Sequence, residues 1–302
     1  MPNRFQILSV LACCAAIASC TKPKVPHDYN PFMLIKCAEV LEYCPAPGQF
    51  IGDGYDAETM EEACEYAYQR MSENRYVSLG AFGGYMTVRL EHPVVSNDGK
   101  IIVVGNFTES SSEPGIVYVM DDRNGNGLPD DEWVEIKGSL YGSSEETRNY
   151  SVTYYRPENI HSDVRWTDNQ GGEGYIHYND WHKQDSYYPQ WVSEDSYTLS
   201  GPRLASRAYD TSGNGSMWIS PSYGSGYADN FTIEDVSIID TVNKKNKDFL
   251  IPRCANVLDV PKECAQVSFV KVQCAVQDEC GWIGEVSTEV CGVYGLQCFY
   301  LE

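Results

Sequence analysis

Oxygen-bearing side chains crowd one short stretch of the chain, Asp121-Asp122-Arg123-Asn124-Gly125-Asn126-Gly127-Leu128-Pro129-Asp130-Asp131-Glu132-Trp133. Calcium takes six to eight oxygen ligands at flexible geometry, and alternate positions of a tight loop can supply them. Counted from Asp122, positions one, three and five are Asp122, Asn124 and Asn126, with Gly127 at the sharp turn. Leu128 can offer its carbonyl, and Asp130 stands at position nine. Position twelve is Trp133, so the late acid of an EF-hand has to come from Asp131 or Glu132. Glu113, ahead of the strand that enters the loop, is a further candidate for the shell; its alternative role is a turn-capping acid before Pro114. The alternative for the whole stretch is a bare hairpin, because Asn-Gly occurs twice between apolar runs. Five carboxylates in one turn repel one another, which weighs toward a bound calcium ion.

Aromatic residues carry the second chemical signal. Trp166, Tyr178, Trp181, Tyr187, Tyr188 and Trp191 stand among Asn, Asp and Gln. Flat faces beside amides and carboxylates suit a sugar or another small planar ligand. The competing expectation is that these rings cover the core beneath long loops. Catalytic sets are harder to find. His27, His92, His161, His177 and His182 make no helical metal pair, and no nucleophile elbow or phosphate-binding glycine loop occurs. A glycoside hydrolase needs two carboxylates about 5–10 Å apart, and a chain with 43 acidic residues singles out no such pair. No catalytic residue is assigned, and binding is favoured over catalysis. A hydrolase with a carboxylate pair and a structural or adhesion protein stay open as alternatives.

The 302 residues carry a net charge of -21, which excludes nucleic acid as a partner by repulsion of its phosphates. Residues 1–20 form a signal peptide: Arg4, an apolar run too short to span a bilayer, then Ile17-Ala18-Ser19-Cys20. That ending resembles a lipobox with Cys20 as the lipidated residue; an ordinary secretory signal is the alternative. Residues 21–31 form a proline-containing tether. Nine cysteines follow Cys20, six of them from Cys254 onward. Export to an oxidising compartment predicts disulfides, concentrated in the C-terminal part.

Residues 32–302 are expected to form one mainly β domain, a jelly-roll-like β-sandwich with one N-terminal helix and long aromatic-rich loops. The helix is predicted over 56–74, capped by Asp56 or by the Thr59–Glu62 capping box, with Met60, Ala63, Ala67 and Met71 on its apolar stripe. Strands are expected at 36–43, 85–90, 100–105, 116–120, 132–137, 150–156, 267–274 and 285–291. Residues 166–221 are expected to be loop.

Several segments taken together resemble one family. They are 43–50 (YCPAPGQF), 77–85 (VSLGAFGGY), 112–116 (SEPGI), the acidic loop with Trp133, 152–157 (VTYYRP), 187–191 (YYPQW), 226–230 (GYADN), 269–272 (FVKV) and 281–289 (GWIGEVSTE). Their order is similar to that of Bacteroidota cell-surface lipoproteins, some with an added PKD-type domain. The resemblance implies a lipid-anchored protein of the outer membrane, on the cell surface rather than its periplasmic face. It also implies capture of a glycan or a small nutrient such as a corrinoid, with an outer-membrane transporter as a possible partner. Two features depart from the family: the heavy cysteine load, and Thr21-Lys22-Pro23-Lys24 where surface-exposed members carry acids.

Overall fold

A computed structural model describes residues 30–52, 54–179, 181–182 and 184–299. The expected signal peptide, Cys20 and all but the end of the expected tether lie outside the described residues. The chain runs β1 (Phe32–Cys44), α1 (Met60–Ser72), β2 (Val77–Ser78), β3 (Tyr85–Val95), β4 (Gly99–Val104), β5 (Gly115–Met120), β6 (Val134–Glu135), β7 (Glu146–Tyr155) and β8 (Val164–Asp168). It continues with β9 (Glu173–Ile176), β10 (Ser196–Leu204), β11 (Tyr209–Asp210), β12 (Trp218–Ile219), α2 (Ile233–Lys245), β13 (Ala255–Asp259), β14 (Gln266–Cys274), β15 (Glu289–Val290) and β16 (Gly292–Cys298). The fold is mainly β, as the strand pattern predicts.

The main sheet has eight strands in the order β13-β4-β16-β1-β3-β14-β5-β6, and its pairings are antiparallel. Its core is built in rows. Val40, Val88, Val270 and Val119 lie side by side on β1, β3, β14 and β5, and Tyr43, Met86, Val272 and Val117 form the next row but one. β-branched side chains suit this pleated, buried surface. The helix α1 joins the same core through Ala63, Tyr66, Ala67 and Met71. Thr59 caps α1 and forms the capping box with Glu62, so Asp56 is not the cap; Met60 stays exposed at the end of the stripe. The helix α2, absent from the sequence expectations, packs Ile239 and Val242 against Ile102, Val104, Ala255 and Leu296.

The smaller sheet, β10-β7-β8-β9, joins the expected strand at 150–156 to β8, β9 and β10, which fall within or across the stretch expected to be loop; most of 166–221 is irregular, as expected. Tyr150, Val152 and Tyr154 on β7 and Val164 on β8 bury against Phe82, Ala46, Ala81, Tyr187 and Tyr188. The Tyr154 hydroxyl donates to the Phe82 carbonyl at 2.9 Å. Gly80 lets this junction close: at φ +67°, a Cβ there would collide with the Ala46 carbonyl.

The expected disulfides are not formed: all nine described cysteines are free thiols, none at disulfide distance from another. Cys37 and Cys44 share β1, and the nearest neighbours, Cys44 with Cys64 and Cys254 with Cys291, act on each other's charge without bonding. Burial pushes Cys64, Cys264 and Cys274 up to about 11 and Cys37, Cys280 and Cys291 up to about 12, so these thiols are poor nucleophiles. Stability therefore rests on packing. Phe82→Ala, which empties the junction under the smaller sheet, is expected to cost about 3–5 kcal/mol in urea denaturation; a loss below about 1 kcal/mol would mean that the second core contributes little.

Candidate functional site

The acidic loop folds around its own oxygens. Asp122 accepts the N–H of Asn126 at 3.1 Å on one oxygen and that of Gly127 at 3.0 Å on the other. Asn124 and Asn126 each accept the N–H two residues on, at 2.9 and 2.7 Å. Asp130 meets the amides of Asn124 and Asn126 at 3.0 and 2.9 Å, and these bonds hold its carboxyl below the usual range. Asp131 accepts the N–H of Arg123 at 3.0 Å. Gly125 and Gly127 take left-handed φ of +69° and +75° to close the turn. Asp122, Asn124, Asn126, Asp130 and Asp131 are thus brought together as hard oxygen donors. Glu132 instead pairs with Arg123 at 3.2 Å, and the Leu128 side chain is exposed. Among the described residues no three His, Cys, Asp or Glu side chains group as a metal site; the loop's set fits a cation only through its asparagine oxygens.

A second loop repeats the scheme. Asp210 accepts the N–H groups of Ser212 at 3.0 Å and Gly215 at 2.7 Å, and the Ser212 hydroxyl at 2.5 Å. The Ser212 hydroxyl and the Gly215 N–H hold Asp210 down to about 2. The D-x-S-x-N-G spacing was the signal for this loop, and the sequence reasoning passed over it.

Glu113 lies elsewhere, half-buried beside the buried carboxyls of Asp229, Glu285 and Glu289. Asp229, at φ +50°, accepts the N–H of Asn106 at 2.7 Å on one oxygen and that of Glu289 at 2.8 Å on the other. The Asn106 amide donates to Glu289 at 2.6 Å. Glu113 Oε1 accepts the Ser287 N–H at 3.3 Å, and Glu285 Oε1 accepts the Gln49 N–H at 2.8 Å. Among the described residues the second oxygen of Glu285 is buried without a hydrogen-bond partner. Burial, then mutual repulsion, raises Glu113 and Asp229 well above the carboxylate range; burial raises Glu289 too and pushes Glu285 up to about 8. The buried Arg70 faces Glu289 and partly offsets the crowding.

The candidate aromatics divide. Tyr187 and Tyr188 are fully buried. Trp191 donates its Nε1–H to the Tyr43 carbonyl at 3.1 Å. Trp166 and Tyr178 pack half-buried on the second core. These five cover the core, which is the competing expectation. Trp181 does not; it is 82 % exposed. Trp282, which the sequence reasoning left out, is 61 % exposed on a tight turn over Gly281–Ile283. One side chain ties the two tryptophans together. Asn179 Oδ1 accepts the Trp181 N–H at 2.9 Å while its Nδ2 donates to the Trp282 carbonyl at 3.1 Å. Gln49 holds the same turn by donating Nε2–H to the Ile283 carbonyl. At the rim, Glu279 accepts the His177 N–H at 2.9 Å and meets His177 Nδ1 at 2.7 Å, which raises the imidazole above its usual range.

A separate cleft of about 1420 Å³ is lined by Tyr85, Tyr118, Trp133, Glu135, Arg148 and Lys271. Its rings are already occupied: the Lys271 ammonium sits 4.6 Å from the Trp133 ring, 4.9 Å from Tyr118 and 5.7 Å from Tyr85. The exposed tryptophan face is therefore the better candidate for a ligand.

Compared with protein-family models and with curated proteins, the chain matches none. The chemistry of the site carries the functional reading.

The buried carboxyls also fix a pH dependence. Glu285 is raised from 4.5 to about 8, so the folded state holds a proton that the unfolded chain releases. Its contribution to stability is complete below 4.5 and is lost as pH rises through 8. Glu113, Asp229, Glu289 and His177 act in the same sense, whereas the lowered Asp168 acts only below its ordinary 3.8. The urea midpoint is expected to fall between about pH 4.5 and 8; a midpoint that rises across that window would contradict the assignment.

Proposed function

We propose that this chain is a lipid-anchored, extracytoplasmic binding protein that captures a glycan or a small nutrient such as a corrinoid on its Trp181–Trp282 face. Its place is the outer membrane, on the cell surface, where the ligand passes to an uptake transporter. The observation that carries the binding reading is the Asn179 clamp, which holds two exposed tryptophans by their backbones. A large apolar ring left in water loses the free energy of burial, about 25 cal/mol per Å². A ring held so firmly in the open is suited to stack on a ligand face. The His177–Glu279 pair beside it supplies donors and acceptors for hydroxyl or amide groups. The net charge of -21 favours a neutral or cationic ligand over an anionic one. Anchoring rests on the lipobox at Cys20; no helix among the described residues is long and apolar enough to cross a membrane.

The test uses affinity electrophoresis against soluble neutral polysaccharides and fluorescence titration with cyanocobalamin. Trp181→Ala and Trp282→Ala are each expected to weaken binding about 10–100-fold, the range for an anchoring aromatic, with unchanged melting. Wild-type protein that binds none of these probes, or variants that bind as well as wild type, would overturn the reading.

Calcium is the proposed cofactor, held by Asp122, Asn124, Asn126, Asp130 and Asp131 with the Leu128 carbonyl. It would supply structural charge balance, fixing the loop that ends at Trp133. Added calcium at a hundredfold excess over its dissociation constant is expected to stabilise the fold by about 2.7 kcal/mol. Calorimetry and melting curves with and without chelator measure this. Asp122→Ala is expected to abolish the calcium-dependent increment; an equal increment in that variant would place the ion elsewhere.

A further inference from the structure

Glu285 stands two residues after Ile283, on the segment that carries Trp282. One oxygen of its carboxyl accepts the Gln49 N–H at 2.8 Å, and the other is buried with no partner among the described residues. Gln49 in turn holds the Ile283 carbonyl, and Asn179 holds the Trp282 carbonyl and the Trp181 N–H. A short chain of hydrogen bonds thus runs from the carboxyl to both exposed tryptophans.

The surroundings are hostile to charge on that carboxyl. Glu279 and Glu289 press on it, and Glu285 itself presses on Glu113 and on the Tyr154 hydroxyl. Asp229 completes the buried acids, and Arg70 is set against Glu289. The Cys274 and Cys280 thiols, both buried, face Glu113.

An ionised Glu285 would need water on its unpartnered oxygen. Its neighbours differ in how readily they can yield. Gly48 and Gly80 are buried where backbones meet, with no room for a Cβ at either. Residues 281–283 are exposed, and the two glycines of the turn, Gly281 at φ +53° and the buried Gly284 at φ +103°, abut side chains, the Trp218 indole and the Gln49 amide, rather than backbone. Lifting this turn is the least costly way to hydrate the carboxyl.

We propose that Glu285 is a proton switch for the tryptophan face: its neutral carboxyl keeps the 281–284 turn seated on Gln49 and Asn179, and loss of the proton releases the turn. The face is then assembled at neutral and acidic pH and comes apart in alkaline surroundings. As a control on capture, the inference rests on the ligand-binding reading above. As a conformational statement it stands alone, and its test contains no ligand.

The full chain is labelled with 5-fluorotryptophan, and the Trp282 fluorine resonance is assigned with Trp282→Phe. In the wild type that resonance is expected to shift with a midpoint near 8. In Glu285→Gln, which keeps a neutral group of the same shape, it is expected to stay at its low-pH position throughout. A resonance that does not titrate, or one that titrates identically in Glu285→Gln, overturns the proposal. If that variant fails to fold, infrared spectroscopy of the wild type decides. A neutral-carboxyl band that bleaches with the midpoint of the Trp282 resonance supports the switch, and a different midpoint overturns it. A working switch in a protein that binds none of the probes would sink the capture reading alone.

Discussion

Burying a carboxyl group away from water is the constraint around which this molecule is arranged. A buried acid has to be neutral, paired or hydrogen-bonded. Here Asp229, Glu285 and Glu289 share one region with the half-buried Glu113, contributed by segments far apart in the chain. Asp229 shows how that is sustained. Both its oxygens take backbone N–H donors, from Asn106 and from Glu289. Its own carbonyl accepts the N–H of Glu113 at 2.9 Å. A Cβ at position 105 would collide with Asp229 Oδ1, so Gly105 makes the approach feasible. Each acid is thus part of the backbone pairing that closes the loops. That pairing ties the start of β5 and β15 to the chain ahead of α2. Burial raises both Asp229 and Glu289, and the Glu289 charge raises Asp229 further.

The aromatic-rich stretch shows the same economy of placement. Tyr187, Tyr188 and Trp191 look like a ligand surface by composition, yet their polar tips bond backbone carbonyls beneath the loop. A buried Tyr or Trp needs such a partner, and an irregular loop has unpaired carbonyls to offer. The result is a loop pinned by hydroxyl and indole groups rather than by a sheet ladder. Trp181 sits on this loop, with its N–H on Asn179 Oδ1 and its ring in the open.

Local features were legible in the sequence, and convergent ones were not. The acidic loop could be recognised because its donors are spaced within one turn, and the Thr59–Glu62 box because capping is a three-residue relation. The alternating runs at 85–90 and 267–274 gave central strands. The helix α2 escaped because its cap, Thr232, sits behind a polar turn and its buried positions are few: Asp235, Ile239 and Val242. The smaller sheet escaped because β8 and β9 are short and rich in Trp, Thr, Gly and Glu. Nothing marks Asp229, Glu285 and Glu289 as buried among 43 acids, or Glu113 as their neighbour, since their partners are set by tertiary contact. All four do lie within segments on which the family resemblance was drawn, at 112–116, 226–230 and 281–289.

The tryptophan face and the buried acids meet at one turn, and the physics of each explains the other. A surface that stacks on a ligand gains most when it is rigid before the ligand arrives. Rigidity in an exposed turn with two glycines has to come from below. Gln49 provides it, with its N–H on Glu285 and its side-chain amide on Ile283. A hydrophobic support would hold the turn at every pH. A carboxyl support holds it only while the proton is present, because the charged form prefers water to the interior. Placing an acid where an apolar residue would pack makes the stiffness of the face conditional on pH, at the expense of stability in alkaline solution.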